Sequence, residues 1–145
     1  MKNSLFSMAL LAAAGFVTAS AVPSAFAQGR ATMQAQVPFA FHVAGKALPA
    51  GEYRLDVERF YRRVDLTSAE GKTIFLSGNP SAAKMDGVSK LIFHRYGNTY
   101  FLRSVVSSTQ PFGLDVPESK EEKGIANVAG MPAVVETLTT GGGMR

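Results

Sequence analysis

An alternation of apolar and polar side chains constrains the fold of this chain more than any other feature of its sequence. Between Val37 and Val43 the odd-numbered residues are valine or phenylalanine, and between Glu52 and Glu58 apolar residues alternate with charged ones. Successive side chains of a β-strand point to opposite faces, so a period of two indicates strands with one buried face. We therefore expect the odd-numbered side chains from Val37 to Val43 to lie inside a stack of sheets.

A second pattern predicts a tight hairpin. Two strand-like segments, 90–96 and 99–106, flank Gly97-Asn98, a two-residue loop of the kind found between paired strands. If the residues that flank this loop lie opposite each other, one face of the hairpin is apolar and the other is mixed. The apolar face carries Leu91, Phe93, Tyr100, Leu102 and Val106, with Arg95 over Tyr100, and the mixed face carries Ile92, His94, Tyr96, Phe101, Arg103 and Val105. The mixed face indicates either cover by another layer or a surface that meets a partner.

The spacing of these segments predicts an all-β fold. Further strands are predicted at 62–68 and 73–77, and turns rich in Gly and Pro separate them. About six to seven short strands joined in this way are typical of an antiparallel β-sandwich or a partly closed barrel. One short C-terminal helix is predicted near 118–126, where Ser119 followed three residues later by Glu122 matches a capping box.

The chain is predicted to contain one β-rich domain, at residues 28–125. Residues 28–36 are mostly polar, and we expect them to fray at their start before they join a strand. Residues 126–145 consist largely of small residues and end near a glycine triplet, which indicates a flexible C-terminal tail. A short strand formed by Val134, Val135 and Leu138 is the alternative.

Residues 1–27 have the three parts of a cleavable signal peptide. Lys2 supplies the positive charge, residues 5–17 form the apolar run, and Ala25-Phe26-Ala27 is a cleavage pattern. An uncleaved membrane anchor is the alternative, but a span needs about 20 mostly apolar residues and polar residues interrupt this segment. We expect an exported protein, periplasmic or extracellular, without membrane attachment after cleavage.

The absence of cysteine from the whole chain removes several kinds of chemistry. The protein has no disulfide to offset a thin core, no thiol nucleophile and no thiolate ligand for a metal. Its stability must come from burial, and seven phenylalanines are expected to supply much of the apolar area: Phe39, Phe41, Phe60, Phe75, Phe93, Phe101 and Phe112. The net charge of +4 is small and its signs are interleaved, which argues against a nucleic-acid partner.

No catalytic or metal-binding constellation stands out. The two histidines, His42 and His94, lie far apart in the sequence, and we expect no metal and no cofactor. No nucleophile elbow is present. Several carboxylates are candidates for acid–base work, but on alternating strands we expect them to be solvated: Asp56, Glu58, Asp65, Glu70 and Asp86.

A dense basic–aromatic run at residues 58–63 has two interpretations. Its arginines and rings are suited to an anionic polymer, such as an acidic polysaccharide or a phosphate-bearing surface. The favoured interpretation is a hairpin connection with solvated arginines and a ring that caps the core. Together with the mixed face of the hairpin, this run gives the candidate interaction surface: His94, Tyr96, Phe101, Arg103, Arg59, Tyr61 and Arg62.

Three blocks of the sequence resemble a family of small secreted proteins common in soil acidobacteria. They are VPFAFHV with GKALPAGEY at 37–43 and 45–53, KLIFHRYG with YFL at 90–97 and 100–102, and VPESKEE at 116–122. The resemblance spans most of residues 37–123 and departs from the family at 111–115, where a shorter link is usual. It implies export and a β fold, and it implies no reaction.

These features favour an exported, non-enzymatic module that binds an envelope or extracellular polymer or protein. One alternative is a structural subunit of a cell-envelope or surface assembly, in which the strand near Pro38 pairs with the edge of a neighbour. The third hypothesis is a small hydrolase that uses the dispersed carboxylates.

Overall fold

The computed structural model describes residues 30–58, 60–82, 84, 86–108, 112–130 and 133–140. The predicted signal peptide, Arg59 and residues 141–145 lie outside this part of the chain. The elements in chain order are β1 Arg30–Val37, β2 Phe41–Val43, β3 Lys46–Leu48, β4 Gly51–Glu58, β5 Arg63–Ser68, β6 Thr73–Ser77, β7 Asn79–Pro80, β8 Lys90–Tyr96, β9 Thr99–Ser107, β10 Phe112–Asp115, α1 Lys120–Ala129 and β11 Val134–Thr139.

Four strands form the first sheet in the order β1-β4-β5-β6, all antiparallel. β1 pairs with β4 along its whole length, from Arg30 opposite Glu58 to Val37 opposite Gly51. The expectation that residues 28–36 join a strand is confirmed from Arg30 onward, whereas the start of this segment at residues 28–29 lies outside the described residues. The strand is held by packing, because Ala31, Met33 and Ala35 alternate with polar residues and are buried.

Seven strands form the second sheet. Five follow the order β11-β8-β9-β10-β7, β2 joins β9 by a short parallel contact, and β3 pairs with β2. The two sheets stack as a sandwich curled into a half-barrel, which confirms the predicted all-β class with one short helix. The described helix, α1, is too short and too polar to cross a membrane.

The core lies between the two sheets and is built around aromatic rings. Phe93 is fully buried and meets Phe39 and Phe41 edge to face, with ring centroids 5.1 and 5.5 Å apart. Tyr53 packs against Phe41 from the first sheet at 5.3 Å. Edge-to-face pairs of this kind add to the free energy gained from burial alone.

The alternating segment at residues 37–43 is split between the two sheets. β1 ends at Val37 and β2 begins at Phe41, because Pro38 has no N–H to continue the ladder. Val37, Phe41 and Val43 are buried, and Phe39 packs partly buried against the core. The predicted inward face is confirmed, whereas the prediction of one continuous strand is wrong.

A β-bulge changes the facing of the predicted hairpin. Pairing follows the expected register from Tyr96 opposite Thr99 to Phe93 opposite Leu102, and then shifts by one residue so that Leu91 lies opposite Val105. An extra residue in one strand turns the side chains that follow it to the opposite face of the sheet. Val105 consequently belongs to the core cluster, although the sequence placed it on the mixed face, and Val106 is buried outside that cluster.

The C-terminal region is more structured than the sequence predicted. α1 continues to Ala129 and ends at Gly130, whose φ of 58° forms a left-handed cap. β11 then pairs with β8 over six residues, and Leu138 packs against the core. The described residues 126–130 and 133–140 differ from the flexible tail expected at 126–145, and the alternative of a short strand with Val134, Val135 and Leu138 is confirmed. The edge of β8 offers backbone groups that this strand satisfies.

Gly78 marks the point where the chain crosses from the first sheet to the second. It lies between β6 and β7, and β7 pairs with β10 through Asn79 opposite Asp115. A Cβ atom at Gly78 would lie 2.9 Å from the carbonyl carbon of Asp115 and closer still to its oxygen. The two backbones can approach this closely only because residue 78 has no side chain.

Candidate functional site

The candidate interaction residues lie in two separate places. His94, Tyr96, Phe101 and Arg103 belong to β8 and β9 of the seven-stranded sheet, whereas Tyr61 and Arg62 lie in the turn between β4 and β5 of the other sheet. Arg59 lies outside the described residues. The structure therefore provides two surfaces where the sequence suggested one.

Helix α1 lies over the first of these places. His42 and His94 both flank Phe101 as its neighbours on adjacent strands, and Phe101 is buried. Two consecutive residues of the first turn of α1 meet the two histidines, with Glu121 Oε2 at 3.3 Å from His42 Nδ1 and Glu122 Oε1 at 3.6 Å from His94 Nδ1. Cover by another layer thus accounts for the mixed composition of this face.

Glu122 is the centre of this polar cluster. Its backbone N–H donates to the Ser119 hydroxyl, as the predicted capping box requires, and its side chain is only 2% exposed. Arg103 donates to Glu122 Oε2 at 3.5 Å and also lies 3.8 Å from Glu118. The side chain of Glu122 reaches the sheet and so fixes where the helix sits.

Burial shifts the proton affinities of this cluster. Desolvation raises the pKa of Glu122, and the neighbouring Arg103 guanidinium partly offsets that increase. Desolvation lowers the pKa of His94, and the Arg103 charge lowers it further. His94 Nδ1, Glu122 Oε1 and Arg103 Nε are buried without a hydrogen-bond partner among the described residues. The cluster therefore holds α1 in place but leaves some of its polar atoms unsatisfied.

We expect His94→Gln to reduce the loss of stability that the protein undergoes on acidification. The pKa of His94 lies below its ordinary value of 6.5, so below that pH the unfolded chain binds a proton more readily than the folded one and the stability contributed by neutral His94 is lost. The pKa of Glu122 is raised, so Glu122 has the opposite effect on stability. Its contribution to the stability of the folded protein is fully present below pH 4.5, its ordinary pKa, and is lost as the pH rises.

The measurement is urea denaturation of the wild type and His94→Gln at pH 7.5 and pH 5. Glu122 lies 3.6 Å from His94, so the change in the difference between the two proteins reports on His94 together with the effect of its removal on Glu122. The wild type should lose more stability than the variant over this range. Parallel losses would contradict the assignment.

The second place is an aromatic–arginine surface, defined here by Phe60, Tyr61, Phe75, Arg54 and Arg63. Its three rings are largely exposed, Phe60 by 82%, Tyr61 by 76% and Phe75 by 64%. The expectation that Phe60 and Phe75 add to the core is wrong, as is the expectation that a ring of the 58–63 run caps it. In β6 the inward positions are Ile74 and Leu76, so the alternation turns Phe75 outward.

Two arginine–aspartate pairs fix the polar part of this surface. Arg63 donates to both carboxylate oxygens of Asp65, at 2.8 and 3.3 Å, and its guanidinium lies 5.2 Å from the centre of the Phe75 ring. Arg54 lies 3.2 Å from Asp56. Both aspartates face outward but are buried by their neighbours, so the expectation that they are solvated is wrong.

A third contact ties the pairs to the rest of the sheet. Asp56 and Asp65 lie directly opposite each other on β4 and β5, and the Thr32 hydroxyl on β1 donates to Asp56 at 2.7 Å. A row of oriented polar groups therefore crosses the sheet and leads to the Phe75 ring. Such an arrangement can bind a ligand that offers both hydroxyl groups and apolar faces.

In the described part of the chain, no three His, Asp or Glu side chains are grouped as ligands for a metal ion. Asp86, another candidate carboxylate, pairs with Lys90 at 2.9 Å. The Asp86 carboxylate is therefore engaged in an ion pair with Lys90.

Sequence reasoning missed two sets of residues. The first is Phe75, which the strict alternation Thr73–Ser77 would have placed outward. The second is the set of helix glutamates that meet the sheet, Glu118, Glu121 and Glu122, for which the capping box was the only signal.

Comparison of the chain with models of protein families, with curated proteins and with solved structures finds no match in any of the three. The function is therefore inferred from the exposed aromatic–arginine surface, because α1 covers the other place.

Proposed function

We propose that the protein is an exported, non-enzymatic module that binds a polysaccharide through the aromatic–arginine surface of its four-stranded sheet. The observation that carries this proposal is the exposure of Phe75 on the outward face of the four-stranded sheet, among oriented polar side chains. The ring lies beside the bidentate Arg63–Asp65 pair.

The exposed rings supply the apolar part of the recognition. Phe60, Tyr61 and Phe75 remain exposed in a chain that buries Phe93, Phe41 and Tyr53 completely or nearly so. Phe60 and Tyr61 lie in the turn between β4 and β5 and Phe75 lies on β6 of the same sheet, and large exposed apolar side chains are candidates for an interaction site. The apolar face of a sugar ring, which carries C–H groups, is a suitable partner for an aromatic ring.

The paired arginines favour a hydroxyl-rich ligand over a strongly anionic one. Arg54 and Arg63 are each held by an aspartate, so much of their positive charge is balanced within the protein. The Asp56 and Asp65 carboxylates are buried, whereas the side chains of Arg54 and Arg63 are exposed by 57% and 41%, so their N–H groups can donate to the hydroxyl oxygens of a ligand. Because the pairs are already oriented, binding costs little additional side-chain entropy.

The test is native gel electrophoresis in the presence of hydroxyethyl cellulose, xylan or polygalacturonate. We expect the neutral polymers to retard the wild type, and Phe75→Ala to weaken that binding roughly tenfold, equivalent to about 1.4 kcal/mol. Polygalacturonate should retard the protein no more than the neutral polymers do.

Val135→Ala is the matched control, because Val135 is 59% exposed on β11 of the other sheet. It should bind as the wild type does. The proposal fails if none of the polymers retards the protein, or if Phe75→Ala and the wild type are retarded equally. Concentration-dependent self-association in sedimentation that Phe75→Ala leaves intact would support the envelope-assembly alternative instead, in which the strand near Pro38 pairs with the edge of a neighbour.

A further inference from the structure

A polar pocket lies beside this surface, at the seam between the two sheets. It has a volume of about 320 Å³ and is lined by Gln34, Ala35 and Gln36 of β1, Glu52 of β4 and Thr139 of β11. β1 and β11 are the outermost strands of their sheets, so the pocket lies where the half-barrel is open. Its volume is at the lower end of the range for small-molecule sites.

We propose that this pocket binds an amine-bearing sugar unit, such as the hexosamine end of a polysaccharide. The inference rests on the proposed function and adds a second, more selective subsite to it. It is drawn from the side chains that line the pocket and from their position relative to Phe75.

The polar side chains of the pocket are available to a ligand. Gln34, Gln36, Glu52 and Thr139 are exposed, and none of these side chains forms a hydrogen bond or an ion pair with another described residue. This contrasts with the neighbouring Arg54 and Asp56, which hold each other at 3.2 Å. Two amides and a hydroxyl provide both donors and acceptors for sugar hydroxyls.

The charge of the pocket is negative where the structure describes it. Among the described lining residues Glu52 is the one that carries a charge, and no lysine or arginine is found with it there. The next arginine along the same face of β4, Arg54, is already paired with Asp56. A carboxylate in these surroundings prefers an ammonium group to a neutral hydroxyl and repels a carboxylate. The pocket should therefore select an amino sugar over a neutral sugar, and a neutral sugar over a uronic acid.

The pocket lies on the same face of the first sheet as Phe75. Gln36 is opposite Glu52 on this outward face. It is four residues along β1 from Thr32, which is in the same row across the sheet as Phe75. From the spacings within a sheet, Gln36 lies about 14 Å from Thr32 along β1, and Thr32 lies about 14 Å from Phe75 across three strand intervals. A single polysaccharide chain can cross the Phe75 row and end in the pocket.

The experiment is an NMR titration of the labelled full-length protein with glucosamine, glucose and glucuronic acid. We expect glucosamine to shift the backbone amides of residues 34–36, 52 and 139, with a Kd at least threefold lower than that for glucose. Glucuronic acid should bind most weakly. Glu52→Gln should remove the preference for glucosamine over glucose, whereas Glu58→Gln, at the other end of β4, should retain it.

Three outcomes would overturn the inference: no shift at the pocket amides with any sugar, binding of glucuronic acid as strong as that of glucosamine, or an unchanged preference in Glu52→Gln. The result is independent of the gel experiment. If Phe75→Ala weakens polymer binding while the pocket amides do not respond, the pocket assignment fails and the proposed function stands. If glucosamine binds the pocket but no polymer retards the protein, the proposed function fails.

Discussion

Gly78→Ala is expected to destabilise the protein by about 3 kcal/mol, which corresponds to a fall of roughly 10 °C in Tm. The added methyl group would lie 2.9 Å from the carbonyl carbon of Asp115 and closer to its oxygen, so it would overlap with backbone atoms. A flexible side chain could move away at little cost, but Asp115 is fixed by its ladder with β9 and by its pairing with Asn79. The strand crossing would have to open.

Gly124→Ala is the control for this substitution. Gly124 lies inside α1 and a Cβ there meets no atom within 4 Å, so the change should stabilise the protein by about 0.5–1 kcal/mol through helix propensity. Thermal denaturation followed by far-UV circular dichroism measures both variants. A Gly78→Ala protein as stable as the wild type would show that β7 and β10 do not approach as described.

Phe93→Ala should have the largest effect of any substitution considered for this protein, about 4 kcal/mol. Phe93 is fully buried and contacts Phe39 and Phe41, so its removal leaves a cavity between the two sheets. Domains of this size have a total stability of about 5–15 kcal/mol, and the variant would be close to unfolding at physiological temperature.

Phe75→Ala makes the same chemical change on the surface and serves as the matched comparison. Because the Phe75 ring is 64% exposed, its loss should alter the free energy of unfolding by no more than about 0.5 kcal/mol. Urea denaturation of both variants distinguishes the two roles. If Phe75→Ala also cost several kcal/mol, Phe75 would be a core residue and its proposed role in binding would lose its basis.

The sequence predicted the inward faces of the strands more reliably than the ends of the strands. The odd-numbered residues from Val37 to Val43 do face the core, because the period of two follows from strand geometry alone. Pro38 signalled that a strand would end near Val37. That the chain then continues as β2 in a second sheet could be known only from the tertiary structure. The bulge at Arg103, which has no partner residue on β8, had no signal in the sequence.

The candidate site was predicted in part. His94, Tyr96, Phe101 and Arg103 share a mixed face, as expected, and the structure shows that α1 covers it through Glu122. Sequence position could not reveal this cover, because Glu122 is far from β8 and β9 along the chain. Phe60 and Phe75 were assigned to the core from residue type alone, and their exposure depends on which side of the first sheet faces the second.

By itself the sequence determined the class of fold, since alternating residues without cysteine must bury one face of a sheet against another, and it determined the hairpin at Gly97-Asn98 together with the helix cap at Ser119. Only the tertiary structure decided that β11 completes the second sheet, that Asp56 and Asp65 are held by arginines, and that Gln34 and Glu52 meet Thr139 in one pocket. The physical reason is the range of the interactions. Alternation and capping act between neighbours in the chain, whereas these contacts join residues that only the packing of the two sheets brings together.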